Sequence, residues 1–448
     1  MEMREIEHSI TNIKADTNRT EILKIAARRA WKKTKHTAMI LPMVAMLTIS
    51  GTSLPPVNSH WIESAMRSQG QAIEQSYVSG HELKHAQIGL SATRDPCSTM
   101  ASETKISSTP DYGLDGTFWA YANSSKGWTG GDSGVSVKLP DGRTVWLYSD
   151  SYMGNVVNGS RQGIVPFMHN VAVVQDGNSF TTLHGGTYES PKSLMTAGLE
   201  PGSFYWNNGA IVSDNTLYVS YSNMHYLGNA TLWGFKSSGT ILAEYSLPSI
   251  TLKSVTQLSS KEGITWGAWM LDEGGYTYIY GTKADNNGLV LQNYMYVARA
   301  PRADILGGWK YFDGTGWTND QSLSVPITNA ADGQFSVTKL GSMYILVTMQ
   351  DLPYSDKLMM YFGCSPTGPF VDGKVAYTTV GQTGAYGTNG DPDIYTYGAY
   401  AHPGLSKGNT LVISYDVDSS NWGELNSNVN IVRPRFIDVT VSFANSEG

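Results

Sequence analysis

Val145-Trp146-Leu147-Tyr148 is the first of five copies of one strand pattern, and the recurrence decides the fold. The others are Leu217-Tyr218-Val219-Ser220, Thr277-Tyr278-Ile279-Tyr280, Met343-Tyr344-Ile345-Leu346 and Leu411-Val412-Ile413-Ser414. Aligned on Trp146, Tyr218, Tyr278, Tyr344 and Val412, the copies step by 72, 60, 66 and 68 residues. A turn rich in Gly, Asp or Asn precedes each copy, from Asp141-Gly142 to Gly408-Asn409. Before each turn lies another short apolar strand: Val135–Leu139, Ala210–Ser213, Ala268–Leu271, Phe335–Leu340 and Tyr400–Leu405. Third strands follow, clearest at Asn170–Val174, Tyr294–Ala298 and Leu358–Phe362. Short strands joined by such turns form antiparallel meanders, and a long period built of meanders is a propeller blade. The chain therefore reads as all-β, a five-bladed β-propeller over residues 113–442. Ile431–Val441 supplies closing strands, and an upstream strand at Gly116–Ala122, around Trp119, completes the last blade. The alternative is a pair of β-sandwiches, into which five copies divide poorly.

Working outward, the 448 residues are 41% hydrophobic and only 15% charged, which gives a large core and excludes global disorder. Gly (47), Tyr (26) and Trp (12) are abundant, a composition of short strands, turns and aromatic surface. Such surfaces bind neutral sugars. A net charge of -7 supplies no basic face and speaks against a nucleic-acid partner. Cys97 and Cys364 make no disulfide framework, and Cys97 falls in an expected linker, so a bridge between them is the less favoured reading.

Residues 1–37 hold nine Lys/Arg against five Asp/Glu, and a short apolar stretch from Thr37 to Ile49 follows. A basic flank before a short apolar core is the layout of an export signal or an uncleaved membrane anchor, here residues 1–53. Residues 54–112 are polar without a sustained period and read as a loosely ordered linker. The catalytic propeller follows at 113–442.

In a propeller the innermost strands all begin at one face, so residues just before them converge on a central mouth. Here these are Asp132, Asn208, Trp266, Gln334 and His402. In the first blade, Asp132 lies nine residues before Asp141 at the hairpin turn and Asp150 nine after. Without a bulge they oppose each other at the open end of the hairpin, with Cβ atoms about 4.5–5.5 Å apart. Alternation agrees: Val135, Val137 and Leu139 share a face with Val145 and Leu147, leaving the two aspartates on the other. Carboxylates that close repel, so one holds its proton to higher pH. A glycosidase that retains configuration needs its two carboxyl groups about 5–5.5 Å apart, an inverting one about 6.5–9.5 Å. The spacing favours retention, with Asp132, nearer the ring axis, taken as the nucleophile. The bland alternative is a pair of turn-capping aspartates.

The expected substrate-binding set adds Asn170, Trp206, Tyr400 and Asp416 to Asn208, Trp266, Gln334 and His402. Asp416 and Asp418 follow the fifth strand, Asp416 after Tyr415 much as Asp150 follows Ser149, while His169-Asn170 opens a third strand. Asp391 and Asp393 lie in a Gly-rich loop and cap a turn or hold Ca²⁺, the turn being favoured; otherwise no metal or cofactor is expected. A G-x-S-x-G elbow is absent, which disfavours a serine hydrolase.

The stretches Gly130-Gly131-Asp132-Ser133-Gly134 through Ser149-Asp150, Tyr294 to Arg299, Gly308-Trp309, Tyr400-Ala401-His402-Pro403 and Arg433-Pro434-Arg435-Phe436 resemble the five-bladed propeller glycoside hydrolases that include bacterial endo-D-arabinanases. The resemblance covers roughly residues 113–442. It implies a secreted or cell-surface bacterial hydrolase, monomeric, that cleaves α-linked arabinofuranose chains with aspartates matching Asp132 and Asp150. The alternatives are another furanosidase, such as one acting on L-arabinan, and a catalytically silent glycan-binding propeller. A protein-interaction scaffold would instead present a charged or apolar top face.

Overall fold

The computed structural model describes residues 96–125, 127–227, 235–259, 261–285, 292–349, 356–379, 391 and 393–443. The segment expected from sequence to be an export signal or anchor, 1–53, and most of the expected linker lie outside them. Among the described residues, no helix is long and apolar enough to cross a membrane.

The described chain is mostly β, and its strands follow the repeats. Sheet 1 contains Val135–Lys138, Thr144–Tyr148, Val171–Asp176 and Ser179–Leu183; sheet 2 contains Ser203–Ser213, Thr216–Tyr226, Phe235–Ser246 and Thr251–Gln257. Sheet 3 runs from Thr265–Glu273 through Tyr276–Asp285 and Gln292–Pro301 to two short strands, Lys310–Phe312 and Trp317–Thr318, so it has five strands. Sheet 4 contains Phe335–Leu340, Met343–Met349, Lys357–Gly363 and Val371–Thr378. Sheet 5 is ordered Ile394–Ala401, Thr410–Ser419, Arg435–Ser442 and then Lys105–Pro110. All five are antiparallel, and each opens on a hairpin whose short turn leaves no room for a parallel crossover.

The first strand of each sheet packs beside the first strand of the next, from sheet 1 to sheet 5. Side chains fasten these neighbours. Asn207 of sheet 2 donates to the carbonyls of Ser133 (3.2 Å) and Leu147 (3.4 Å), and the Trp269 indole of sheet 3 donates to Val337 O in sheet 4 at 2.7 Å. Ser336 of sheet 4 accepts the Ala401 N–H of sheet 5 at 2.8 Å. His402 then joins Ser136 of sheet 1 (2.8 Å) to Ser414 of sheet 5 (2.9 Å). The apolar core fills the spaces between sheets: Val135, Leu147, Val219, Trp269, Val337 and Leu346 belong to one continuous cluster.

Two expectations are corrected at the N-terminal side. The strand that completes sheet 5 is Lys105–Pro110, paired with Arg435–Ser442, while Gly116–Ala122 lies in a helix, Tyr112–Asn123. Asp111 caps that helix by accepting the Leu114 N–H at 2.9 Å, and Phe118 and Ala122 drive it into the core. Residues 96–110 are therefore part of the fold and not linker. A helix at Pro96–Glu103 lies on the outer strands of sheet 4, burying Cys97 and Ala101 against Met343, Ile345 and Phe362. There Cys97 is bonded to Cys364, contrary to the reading from sequence. A linker cysteine offers no packing signal, whereas this helix brings its sulfur to the residue that follows Lys357–Gly363.

The bridge closes a loop of 267 residues, so it removes much of the freedom of the unfolded chain. Replacing both cysteines by serine should lower stability by about 2–4 kcal/mol. Calorimetry of wild type and variant, with and without reductant, checks this; a melting temperature unmoved by either change counts against it.

Candidate functional site

The first hairpin keeps the register that symmetry about Asp141 requires, Val135↔Leu147 through Lys138↔Thr144. It does not end at the aspartates. Pairing resumes as Gly131↔Ser151 in a second, three-stranded sheet of Trp128–Gly131, Ser151–Met153 and Phe167–Met168. At the junction, Asp132 N donates to Asp150 O (3.1 Å) and Ser149 N donates to Asp132 O (2.9 Å). Two residues thus face one, a bulge of the kind that re-aims side chains. Ser133 adopts φ 56°, unusual for a residue with a Cβ, and is held by flanking sheets: its N–H donates to Asp416 Oδ2 at 2.8 Å and its hydroxyl accepts from Gln334 Nε2 at 2.6 Å.

The two aspartates receive opposite treatment. Asp132 Oδ2 accepts the Tyr397 hydroxyl at 2.7 Å, while its Oδ1 is buried without a hydrogen-bond partner among the described residues. Burial, then the charges of Asp150, Asp416 and Asp418, push its carboxyl well above the usual range. Asp150 is about a third exposed and accepts two N–H groups on one oxygen: the Trp206 indole donates to Oδ1 at 2.7 Å, and His169 Nδ1 lies 2.7 Å from the same atom. Two nitrogen contacts thus converge on one oxygen of Asp150, Oδ1.

Behind this pair stand two more carboxylates on one strand. Asp416 is 2% exposed, and burial raises its carboxyl well above the ordinary value despite the Ser133 N–H. Asp418 is raised to about 6, chiefly by burial, with Ser419 N–H (2.7 Å) opposing the effect and the Asp150 charge adding to it. The Tyr397 hydroxyl reaches Asp418 Oδ2 at 3.4 Å as well as Asp132, so one phenol links first and fifth sheets. Burial and the surrounding aspartates keep that phenol protonated.

Of the other residues picked from sequence, Trp206 and Gln334 reach this network, and Asp416 is buried within it. The rest do not offer themselves to a ligand. Asn170 is 2% exposed and spends its amide on Met195 N (2.6 Å), Met195 O and Tyr205 O (2.9 Å). Asn208 pairs with Ser222 at 2.9 Å, and its neighbour Asn207 makes the inter-sheet bonds. Trp266 is fully buried among Leu258, Ile264, Met270 and Trp309, and Tyr400 stacks on Trp269 with ring centroids 6.1 Å apart. His402 is fully buried, and desolvation lowers it to about 3, so it stays neutral as a bridge between Ser136 and Ser414.

Irregular register accounts for part of this outcome. The first strands of sheets 2, 3 and 5 carry bulges between Asn207 and Ala210, Trp266 and Trp269, and Tyr397 and Tyr400. The bulges in sheets 2 and 5 insert one residue and reverse which face the upstream residues occupy, while the one in sheet 3 inserts two. The fifth strand begins at Ile394, so the position facing Asp132 is Tyr397 rather than His402. Gly398 (φ 64°) permits this: a Cβ there would stand 2.4 Å from Asp416 Oδ2. A glycine between tyrosines, Tyr397-Gly398-Ala399-Tyr400, is the sequence signal for that bulge. Asp391 accepts the Asp393 N–H at 3.0 Å, and one carboxylate oxygen each of Asp391, Asp393 and Glu424 lie within 4.8 Å of one another, so the turn and a cation both remain compatible with these residues.

A Bacteroides ovatus protein assigned provisionally as a hydrolase is similar in fold: 22% identity, TM-score 0.60, covering 79% of this chain and 97% of that one. An endo-arabinase from Bacteroides thetaiotaomicron shares 10% identity over 71% of this chain and 95% of its own, with a TM-score of 0.40. No curated protein matches the chain. The family model described as a domain of unknown function, DUF5005, matches residues 115–442, from the Tyr112–Asn123 helix through the closing strand Arg435–Ser442, and the chain belongs to that family.

Proposed function

We propose that this chain is an exported, endo-acting glycoside hydrolase with a five-bladed propeller as its catalytic domain, and that its substrate is an arabinan of α-linked furanose units. The D-arabinan of bacterial cell walls is the favoured polymer, on the resemblance of the first-hairpin motif. The observation that carries the reading is the unequal dressing of the hairpin pair: Asp132 bears a buried, unpaired oxygen, and Asp150 accepts two N–H donors. Glycoside hydrolysis requires two carboxyl groups in different environments, one to give a proton and one to attack.

The roles follow from the environments and reverse the assignment made from sequence. Asp132 is the general acid, because burial and three neighbouring charges keep its proton on. Asp150 is the nucleophile, because it is partly exposed and both of its nitrogen contacts hold Oδ1, leaving Oδ2 open to the sugar. In the first step an Asp150 oxygen bonds the anomeric carbon, the glycosidic C–O bond breaks, and the departing oxygen takes the Asp132 proton. In the second, Asp132 removes a proton from water, whose oxygen displaces Asp150 at the same carbon, and configuration is retained.

Incubation with D-arabinan and with linear α-1,5-L-arabinan should yield a ladder of oligosaccharides from one of them, with retained anomeric configuration by NMR. Asp132→Asn and Asp150→Asn should each reduce turnover by about 10³-fold or more with the melting temperature unchanged. On an activated substrate, azide should rescue the Asp132 variant and give a glycosyl azide of retained configuration, whereas any azide product of the Asp150 variant should be inverted. Full activity in either variant refutes the pair.

The pH profile carries a sign. An acid must be protonated to act, so turnover should fall as pH rises through the elevated Asp132 pKa. The Asp418 charge contributes to that elevation, so Asp418→Asn should move the alkaline limb to lower pH. A limb that moves upward or stays fixed would rule out this electrostatic coupling.

A further inference from the structure

His169 is packed more tightly than a surface histidine needs to be. Its ring stacks on Phe204, with centroids 3.9 Å apart and planes 23° from parallel, and meets the edge of Phe167 at 5.1 Å. Nδ1 lies 2.7 Å from Asp150 Oδ1, and Nε2 lies 3.3 Å from the Tyr226 hydroxyl. Its own N–H donates to Ser193 Oγ at 3.0 Å, fixing the backbone between Phe167–Met168 and Val171–Asp176. Both N–H donors to Asp150 converge on Oδ1, and no described residue is bonded to Oδ2.

We infer that His169 is the positioning residue that selects which oxygen of Asp150 attacks the sugar. The inference rests on the nucleophilic role given to Asp150 above. The ring carries its proton on Nδ1 and donates to Oδ1 beside the Trp206 indole. The Tyr226 hydroxyl donates to Nε2 and so holds that tautomer. With Oδ1 bound by two donors, Oδ2 is the oxygen that bonds the anomeric carbon, and Oδ1 becomes the carbonyl of the glycosyl ester. When water displaces the sugar, the C–O bond to Oδ2 breaks, its electron pair returns to the carboxylate, and the two N–H groups receive the charge that develops on Oδ1. Removing one donor therefore slows turnover more than it weakens binding.

Tyr226 is 60% exposed and Phe167 38%, so the second layer of this arrangement lies at the rim, where an incoming chain would touch it. Occupied by a sugar, the rim would shield the His169–Asp150 contact from water and strengthen it.

Two replacements separate positioning from packing. His169→Asn keeps an N–H at the Nδ1 position and loses the ring; His169→Phe keeps the ring against Phe204 and loses the N–H. Positioning expects kcat on the cleaved arabinan to fall about 10²-fold in the Phe variant, with KM within a few-fold, and to stay within about tenfold of wild type in the Asn variant. A Phe variant as active as wild type, or one no worse than the Asn variant, overturns the inference, and melting temperatures show whether either variant is unfolded. Without any substrate, NMR of the full chain labelled with [¹⁵N]histidine should show His169 with a proton on Nδ1, lost as a hydrogen-bonded signal in Asp150→Ala, which removes the acceptor. A ring protonated on Nε2 alone overturns it whatever the activity. If instead wild type leaves both arabinans intact, the proposed function fails while the tautomer still decides the His169–Asp150 contact.

Discussion

Asp132 and Asp150 stand across one antiparallel ladder, and the site is organised around keeping both there. Two full charges ~5 Å apart in a partly desolvated cleft repel by on the order of 3 kcal/mol at an effective dielectric of ~20. The fold relieves this asymmetrically. On the Asp150 side it supplies the Trp206 indole and His169. On the Asp132 side it supplies one phenol, Tyr397, and withholds a partner from Oδ1, so that the acid form is favoured. Each aspartate belongs to the same hairpin, so the difference between them comes from what surrounds each: His169 from the same sheet system, Trp206 and Tyr397 from sheets 2 and 5.

That makes the inter-sheet contacts part of the chemistry. Ser133 is locked by Asp416 from sheet 5 and by Gln334 from the start of sheet 4, and its carbonyl is bound by Asn207 from sheet 2. Three sheets thereby set the backbone next to Asp132. The buried Asp416 and His402 look at first like wasted polar groups. One anchors the strained Ser133, and the other, neutral throughout the physiological range, ties Ser136 to Ser414. Residues that sequence places in a sugar subsite thus act one layer behind it.

How much was legible follows from this division. The Asp132–Asp150 opposition could be read because hairpin register is arithmetic once the turn at Asp141 is fixed, and one local bulge did not break it. The five meanders were legible for the same reason: turn residues and alternation are local signals. Tyr397, His169 and the burial of Trp266 were not, because each depends on a bulge or on a packing partner from a distant sheet. The Cys97–Cys364 bond belongs to the same class, since its partners are 267 residues apart and meet only through the packing of the Pro96–Glu103 helix on sheet 4. The closing strand was anticipated in kind and misplaced by several residues, because Gly116–Ala122 is apolar enough for either a strand or a helix face.

Four aspartates, Asp132, Asp150, Asp416 and Asp418, interact electrostatically around one phenol, and this bears on which sugars the proposed site would accept. The nearest cations face inward: Arg435 is fully buried and bonded to the carbonyls of Arg433 and Pro434, and Arg161 lies over the Tyr152 ring with its guanidinium bonded to Thr129. Both soften the acidic field without presenting a donor to a bound carboxylate or sulfate. A uronic or sulfated sugar would therefore enter against repulsion that nothing in this group offsets. A neutral furanose chain would meet only hydroxyl-accepting carboxylates and the exposed rings of Phe167 and Tyr226. The electrostatics that raise Asp132 would also filter the substrate, so the proposed preference for a neutral polymer and the elevated acid would have a single physical origin.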